Sequence, residues 1–274
     1  MANDPNSPQY SEFIDINLSV PTVARIYDWL LNGKDNFVAD REAGHEFLRI
    51  APELRQIALD NRAWLSRVVT RMAADCGVDQ FLDVGSGLPT VDNTHQVAQR
   101  VLPGARVIYV DNDPVVLTHG RAILDDNLNT TVITADVREP KSILEHPDTQ
   151  ALLDFSRPVG VLLIALTHCL KDDDHPAVMY EQLLDAMPSG SYVAYSHIVC
   201  ADEAVGQRLT DSVLEATHGS WGRVRTPEEA VSIVDRLGLH VLEPGYVDIR
   251  GWPEREPPEA ATGVWEIGGL ARKP

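Results

Sequence analysis

FLDVGSGLPT, Phe81 to Thr90, reads as a strand, a glycine turn and the approach to a helix. Phe81, Leu82 and Val84 supply the apolar run of a buried strand, and Asp92, Asn93 and Thr94 stand where a helix would begin. Glycine lacks a Cβ, so a backbone built as Gly85-Ser86-Gly87 can approach a ligand closely. Such a loop suits a dinucleotide's phosphates, another nucleoside cofactor or a plain turn.

Outward from this loop, strands and helices alternate. RVIYV (Arg106 to Val110) predicts a second strand ending in Asp111-Asn112-Asp113-Pro114, and TVIT (Thr131 to Thr134) a third ending in Ala135-Asp136-Val137. Helical segments are expected near 93–101, up to Leu124, near 140–146, 175–186 and 202–217. VGVLLIAL and SYVAYSHI supply the fourth and fifth strands. Thr226-Pro227-Glu228-Glu229 has capping-box spacing and opens a helix ending at Gly238. LHVLEPGYVDI and a run near 263–270 complete the sheet around the loop GWPEREPPE. Alternation of this kind predicts an α/β fold with a doubly wound, mostly parallel seven-stranded sheet, Rossmann-like.

The first 75 or so residues read differently, as helices only. A polar tail to about residue 18 precedes a helix capped by Ser19, a connector at 34–40, a helix capped by Asp40 and a long helix from Pro52 to Ala73. The expected organisation is a tail and helical cap over 1–75 and a cofactor-binding domain over 76–274, as one compact unit.

Composition narrows the function. The chain of 274 residues is 44% hydrophobic with a formal net charge of −18, which opposes nucleic-acid and anionic-membrane partners. Cys76, Cys169 and Cys200 are scattered and odd in number, the pattern of reduced thiols in a cytoplasmic protein. No signal peptide or membrane-spanning run is read.

Asp83, Asp111 and Asp136 each stand at a strand end. An acid after the second strand suits ribose hydroxyls in either a nicotinamide dinucleotide or S-adenosylmethionine. The dinucleotide pattern G-x-G-x-x-G/A wants a small residue where Thr90 stands behind Pro89, and Asp83 would repel a pyrophosphate. A ligand with an ammonium and a sulfonium welcomes that acid.

DVGSG, YVDNDP and TADV resemble successive cofactor motifs of class I S-adenosylmethionine-dependent methyltransferases, with Pro89 where those proteins often carry a third glycine. ARIYDWLLNGKDNF, NRAWL and PSGSYVAYSH add a similarity to a bacterial family of such enzymes with unassigned substrates. The resemblance implies that Asp83, Gly85, Ser86 and Gly87 line the methionine and ribose end. It implies that Asp111 holds the ribose, Asn112 lies beside the adenine, and Asp136 and the Val137 backbone read its ring.

In the cap, Tyr27 and Asn36 are expected to border the methyl-transfer chamber. Residues 27–37 are expected to close over the cofactor, with the tail before Leu18 outside, and Arg62 to pair with the cofactor's carboxylate. THCLKDDDH, Thr167 to His175, faces the ligand end of the fourth strand, with Thr167 on the cofactor side. Its aspartates lack the convergence of metal ligands, and no metal is expected. His168 and His197 are the candidate bases, each competing with a purely structural role. The expected activity is methyl transfer to a small molecule. A non-catalytic sensor that binds the cofactor is the alternative, a nicotinamide oxidoreductase is disfavoured, and a homodimer is compatible with the sequence.

Overall fold

The computed structural model describes residues 17–90, 92–124, 127–254 and 263–274. Most of the polar tail and most of the GWPEREPPE loop therefore lie outside the described residues. Strands β1 (Gln80–Val84), β2 (Arg106–Asp111), β3 (Thr130–Thr134), β4 (Gly160–Leu163) and β5 (Tyr192–Cys200) form a parallel sheet in the order β3-β2-β1-β4-β5. Next to β5 the final strand runs antiparallel. Its far edge pairs with two short segments, β6 (His240–Val241) and β7 (Val247–Asp248), while it is itself β8 (Val264–Arg272). LHVLEPGYVDI, expected as one strand, is thus two pieces. Pro244 between them has no N–H to give the ladder, and Gly245 N–H turns back onto Leu242 O.

Alternate residues of each central strand enter opposite cores, which is why these strands read as continuous apolar runs. Phe81, Val107, Leu162 and Ala194 face one layer, with Trp64, Val68 and Met72 from helix α3 (Leu54–Ala74), following α1 (Val23–Leu30) and α2 (Val38–Ile50). Leu82, Ile108, Leu163 and Tyr195 face the other, with Tyr180 and Leu183. Helix α4 (Thr94–Val101) follows β1 and α5 (Pro114–Leu124) follows β2. Two short helices, α6 (Pro140–Leu144) and α7 (Pro147–Leu152), stand where one was expected. Pro147 opens the second at its first turn. Helices α8 (Pro176–Asp185), α9 (Glu203–Ala216) and α10 (Pro227–Asp235) complete the layers, and α10 carries the expected Thr226–Glu229 capping box. Among the described residues, no helix is long and apolar enough to cross a membrane.

The cap is fastened by one buried group. Asp40 accepts from Arg25 Nε at 3.1 Å, from the Thr22 backbone at 3.1 Å and from the Phe37 backbone at 2.8 Å. Both charged side chains are almost wholly buried. Two expectations shift here. Thr22, not Ser19, caps α1, accepting from Arg25 N–H. Asp40 lies inside α2, on its first turn, and reaches back to the cap position at Phe37.

Candidate active site

β1 ends against an open side of the sheet. Gly85 and Gly87 adopt φ of +73° and +65°, a conformation that costs other residues about 1–2 kcal/mol. The two positions differ in what surrounds them. A Cβ on Gly85 would come within 2.6 Å of Leu166 Cδ1, whereas one on Gly87 would meet nothing within 4 Å. Gly85 is therefore crowded by the Leu166 side chain, and Gly87 leaves its space to the cavity.

The acids anchor this loop. Asp83 is buried, accepts from Thr94 Oγ1 at 2.6 Å, and is pushed up to about 6 by burial. Asp111 accepts from Gly87 N–H at 2.8 Å and from Asp113 N–H at 2.9 Å, and burial raises its pKa against those bonds. Asp136 goes the other way. Burial would raise it, but donors from Arg138 and Asn112 prevail and hold it near 2. Four donors fall on its two oxygens: Arg138 N and Nε on Oδ1, Arg138 Nη2 and Asn112 Nδ2 on Oδ2.

These groups line a continuous cavity of about 770 Å³. Asp83, Gly85, Ser86, Gly87, Asp111, Asn112, Asp136 and Val137 all border it, as do Tyr27 and Arg62 from the cap side. Arg62 Nη2 donates to Asp92 O at 2.8 Å. The cap contributes its leading edge, from Asn17 through Leu30, so two expectations are corrected. Asn17 lies at the site instead of outside it, and the connector that follows α1 does not line the cavity. Asn36 is spent on the cap's own fold, donating to Asp28 Oδ2 at 2.8 Å and Gly33 O at 3.0 Å, with its own oxygens bound by Arg41.

The loop after β4 divides the remaining candidates. Thr167 is fully buried outside the cavity lining, its hydroxyl 2.7 Å from Tyr180 Oη and its carbonyl accepting from Arg225. Arg225 also grips Leu170 O and, at 2.7 Å, Asp172, so that acid has a structural partner.

His168 borders the cavity, but burial and the nearby Arg225 push its pKa down to about 3. Its Nδ1 accepts from Ile198 N–H at 3.3 Å, which assigns the ring proton to Nε2. A neutral imidazole so arranged can donate to a ligand but has no lone pair to offer.

His197 does not reach the cavity. β5 continues three residues beyond it, and strict alternation sends Ser196 and Ile198 to the α3 face and Tyr195 and His197 to the other. Its ring packs against His168 and Tyr195, both nitrogens are buried without a hydrogen-bond partner among the described residues, and burial lowers its pKa well below the ordinary value.

A cluster on the α3 face escaped sequence reasoning. Glu266 on β8 is 2% exposed and borders the cavity. Its Oε1 accepts from Ser196 Oγ at 2.5 Å and Asn61 Nδ2 at 2.7 Å, and Tyr27 Oη donates to Asn61 Oδ1 at 2.9 Å. Burial pushes Glu266 up to about 7. The available signal was a lone acid inside the apolar run VWEIGGL.

Ser86 Oγ offers a direct test of fit for a nucleoside ligand. It is buried at the cavity with no hydrogen-bond partner among the described residues, an acceptor and donor waiting to be used. Acids at successive strand ends suit a nucleoside that carries positive charge and no phosphate. With this strand order, they define an S-adenosylmethionine-dependent methyltransferase.

Comparison then gives the family. The S-adenosyl methyltransferase family model matches residues 9–274, and the chain belongs to that family. A protein of Thermobifida fusca YX, assigned provisionally to the methyltransferases, is 42% identical over 93% of this chain and 96% of its own, with a TM-score of 0.83. A DUF574 family protein of Streptomyces avermitilis MA-4680 is 37% identical over 93% and 98%, also at 0.83. An O-methyltransferase family protein of Burkholderia thailandensis shares the fold at 12% identity and a TM-score of 0.50, over 82% and 61%. No curated protein matches the chain.

Proposed function

We propose that this methyltransferase acts on a small molecule held between the cofactor edge and the cap. The observation that carries the reading is the continuity of the cavity, which joins the glycine loop to α1 and Glu266. Small-molecule sites span roughly 300–1,000 Å³, so the space suits a nucleoside beside a compact acceptor. The charge of −18 opposes a phosphate backbone. Cys76, Cys169 and Cys200 are free, in keeping with a reducing cytoplasm.

In this reading Asp111 takes the ribose hydroxyls, Asp83 and the Gly85-Ser86-Gly87 loop meet the methionine end, and Arg62 pairs with its carboxylate. Asp136 and Val137 meet the adenine. Because every acceptor position of Asp136 is filled, the adenine amino group must displace a donor. Asn112 is the one to leave, since it contributes one bond against three from Arg138.

When bound, S-adenosylmethionine supplies a methyl carbon activated by the sulfonium. The chain's part is to align an acceptor with it and exclude water. Calorimetry with S-adenosylmethionine and S-adenosylhomocysteine should give saturable binding, followed by a screen of metabolites with a labelled methyl group. Tight NADH binding with neither ligand bound would overturn the reading.

A further inference from the structure

Glu266 is a buried acid at a ligand cavity, and the ion pairs found among the described residues give it no cation. Its donors converge on one oxygen. Ser196 Oγ accepts from Ala165 N–H at 2.9 Å, so its proton is committed to Glu266 Oε1. Asn61 Oδ1 accepts from Tyr27, so its amide group is oriented onto that same oxygen. Among the described residues no protein donor falls on Oε2.

The position is tied to the cofactor edge through packed groups. Ala165 has the left-handed φ of +51°, unusual for alanine, and Ser196 holds it. Its neighbour Leu166 fills the space over Gly85. Ala165, Leu166 and Ile198, the cross-strand partner of Glu266, all border the cavity.

We propose that Glu266 is the catalytic base of the transfer, its Oε2 taking the acceptor's proton; the inference rests on the methyltransferase reading above. The acceptor's lone pair forms the bond to the methyl carbon as the carbon–sulfur bond breaks with its electron pair left on sulfur. The acceptor's O–H or N–H proton passes to Oε2 and later to water. An acceptor with an ionisable O–H or N–H is thereby implied. Burial keeps Glu266 near neutrality, helped by the acids Asp60 on α3 and Asp248 on β7, with Tyr27 facing it from α1. His168, neutral and protonated on Nε2, complements it as a donor.

The test needs no acceptor. S-adenosylmethionine differs from S-adenosylhomocysteine by the sulfonium charge, which favours ionised Glu266. Calorimetry at pH 7 in buffers of different ionisation enthalpy should show more protons released by the first ligand than by the second. Glu266→Gln should abolish that difference, cut the preference for the sulfonium ligand about tenfold and leave the affinity for the homocysteine ligand unchanged.

If Glu266→Gln keeps the proton difference, the assignment to Glu266 is overturned. If wild type binds neither ligand, the methyltransferase reading falls instead. Should Glu266→Gln fail to fold, wild type labelled with 13C-glutamate serves. The infrared difference between the two complexes must show a glutamic acid becoming a carboxylate, and a silent glutamate band refutes the proposal.

Discussion

Gly87 donates its backbone N–H to Asp111 Oδ2 at 2.8 Å, tying the loop after β1 to the acid that ends β2. The acid thus shapes the loop as well as facing the cavity. Asp111→Ala should weaken S-adenosylmethionine binding by about 1–3 kcal/mol, the loss expected for charge-assisted hydrogen bonds. Calorimetry checks it, and an unchanged affinity would show that the ribose lies elsewhere.

The two loop glycines should respond unequally to a methyl group. Gly85→Ala meets both an unfavourable φ and the Leu166 side chain, whereas Gly87→Ala meets the φ alone. Denaturant unfolding should place Gly87→Ala about 1–2 kcal/mol below wild type and Gly85→Ala lower still, by roughly 1–3 kcal/mol more. Equal losses would refute the packing role of Leu166.

Removing the carboxylate of Asp40 leaves Arg25 as a buried charge without its partner. Asp40→Ala should cost about 3–5 kcal/mol by thermal unfolding. Because the α1 edge lines the cavity, cofactor binding should weaken too, and hydrogen exchange should rise between residues 22 and 30. In wild type, saturating cofactor should protect the same amides. Deletion of residues 1–40 should likewise weaken binding and expose the apolar face made by Leu54, Ile57 and Ala58.

Two buried carboxyls should tilt the pH dependence of stability. Asp83 and Glu266 have folded pKa values near 6 and 7, above those of the unfolded chain. On these two carboxyls the folded state holds more protons between about pH 4 and 7, so their contribution to stability falls as pH rises through that window, while His168 and His197, buried with lowered pKa values, contribute in the opposite direction. Their joint effect is on the order of a few kcal/mol, present at pH 4.5 and lost by pH 7.5. Asp136, held near 2, opposes this only in stronger acid. Against Asp83→Asn with Glu266→Gln, wild type should lose stability between about pH 4.5 and 7.5, a comparison in which the histidine contribution cancels, and a constant difference would assign the effect to other groups.

The parallel strands, the long α3 and the acids at three strand ends were legible because each rests on a short-range pattern. A doubly buried strand is a continuous apolar run, α3 is an apolar stripe, and the crossover connections compel parallel neighbours. Those rules put Asp83, Asp111 and Asp136 at one edge of the sheet, and all three border the cavity. The position of His197 needed the third dimension. His197 was read as a strand end, but β5 runs on to Cys200 and the two-residue alternation turns its ring away.

Sequence alone therefore determined the class of fold and the acid-bearing edge of the sheet, since hydrophobic period and turn chemistry act between residues close in the chain. Tertiary structure alone decided the buried cluster around Glu266. Asn61, Ser196 and Glu266 are separated by 135 and 70 residues, and they meet only because β8 inserts antiparallel beside β5 under α3. Burial then sets what they can do, removing water from one carboxylate and leaving its charge to depend on whatever enters the cavity.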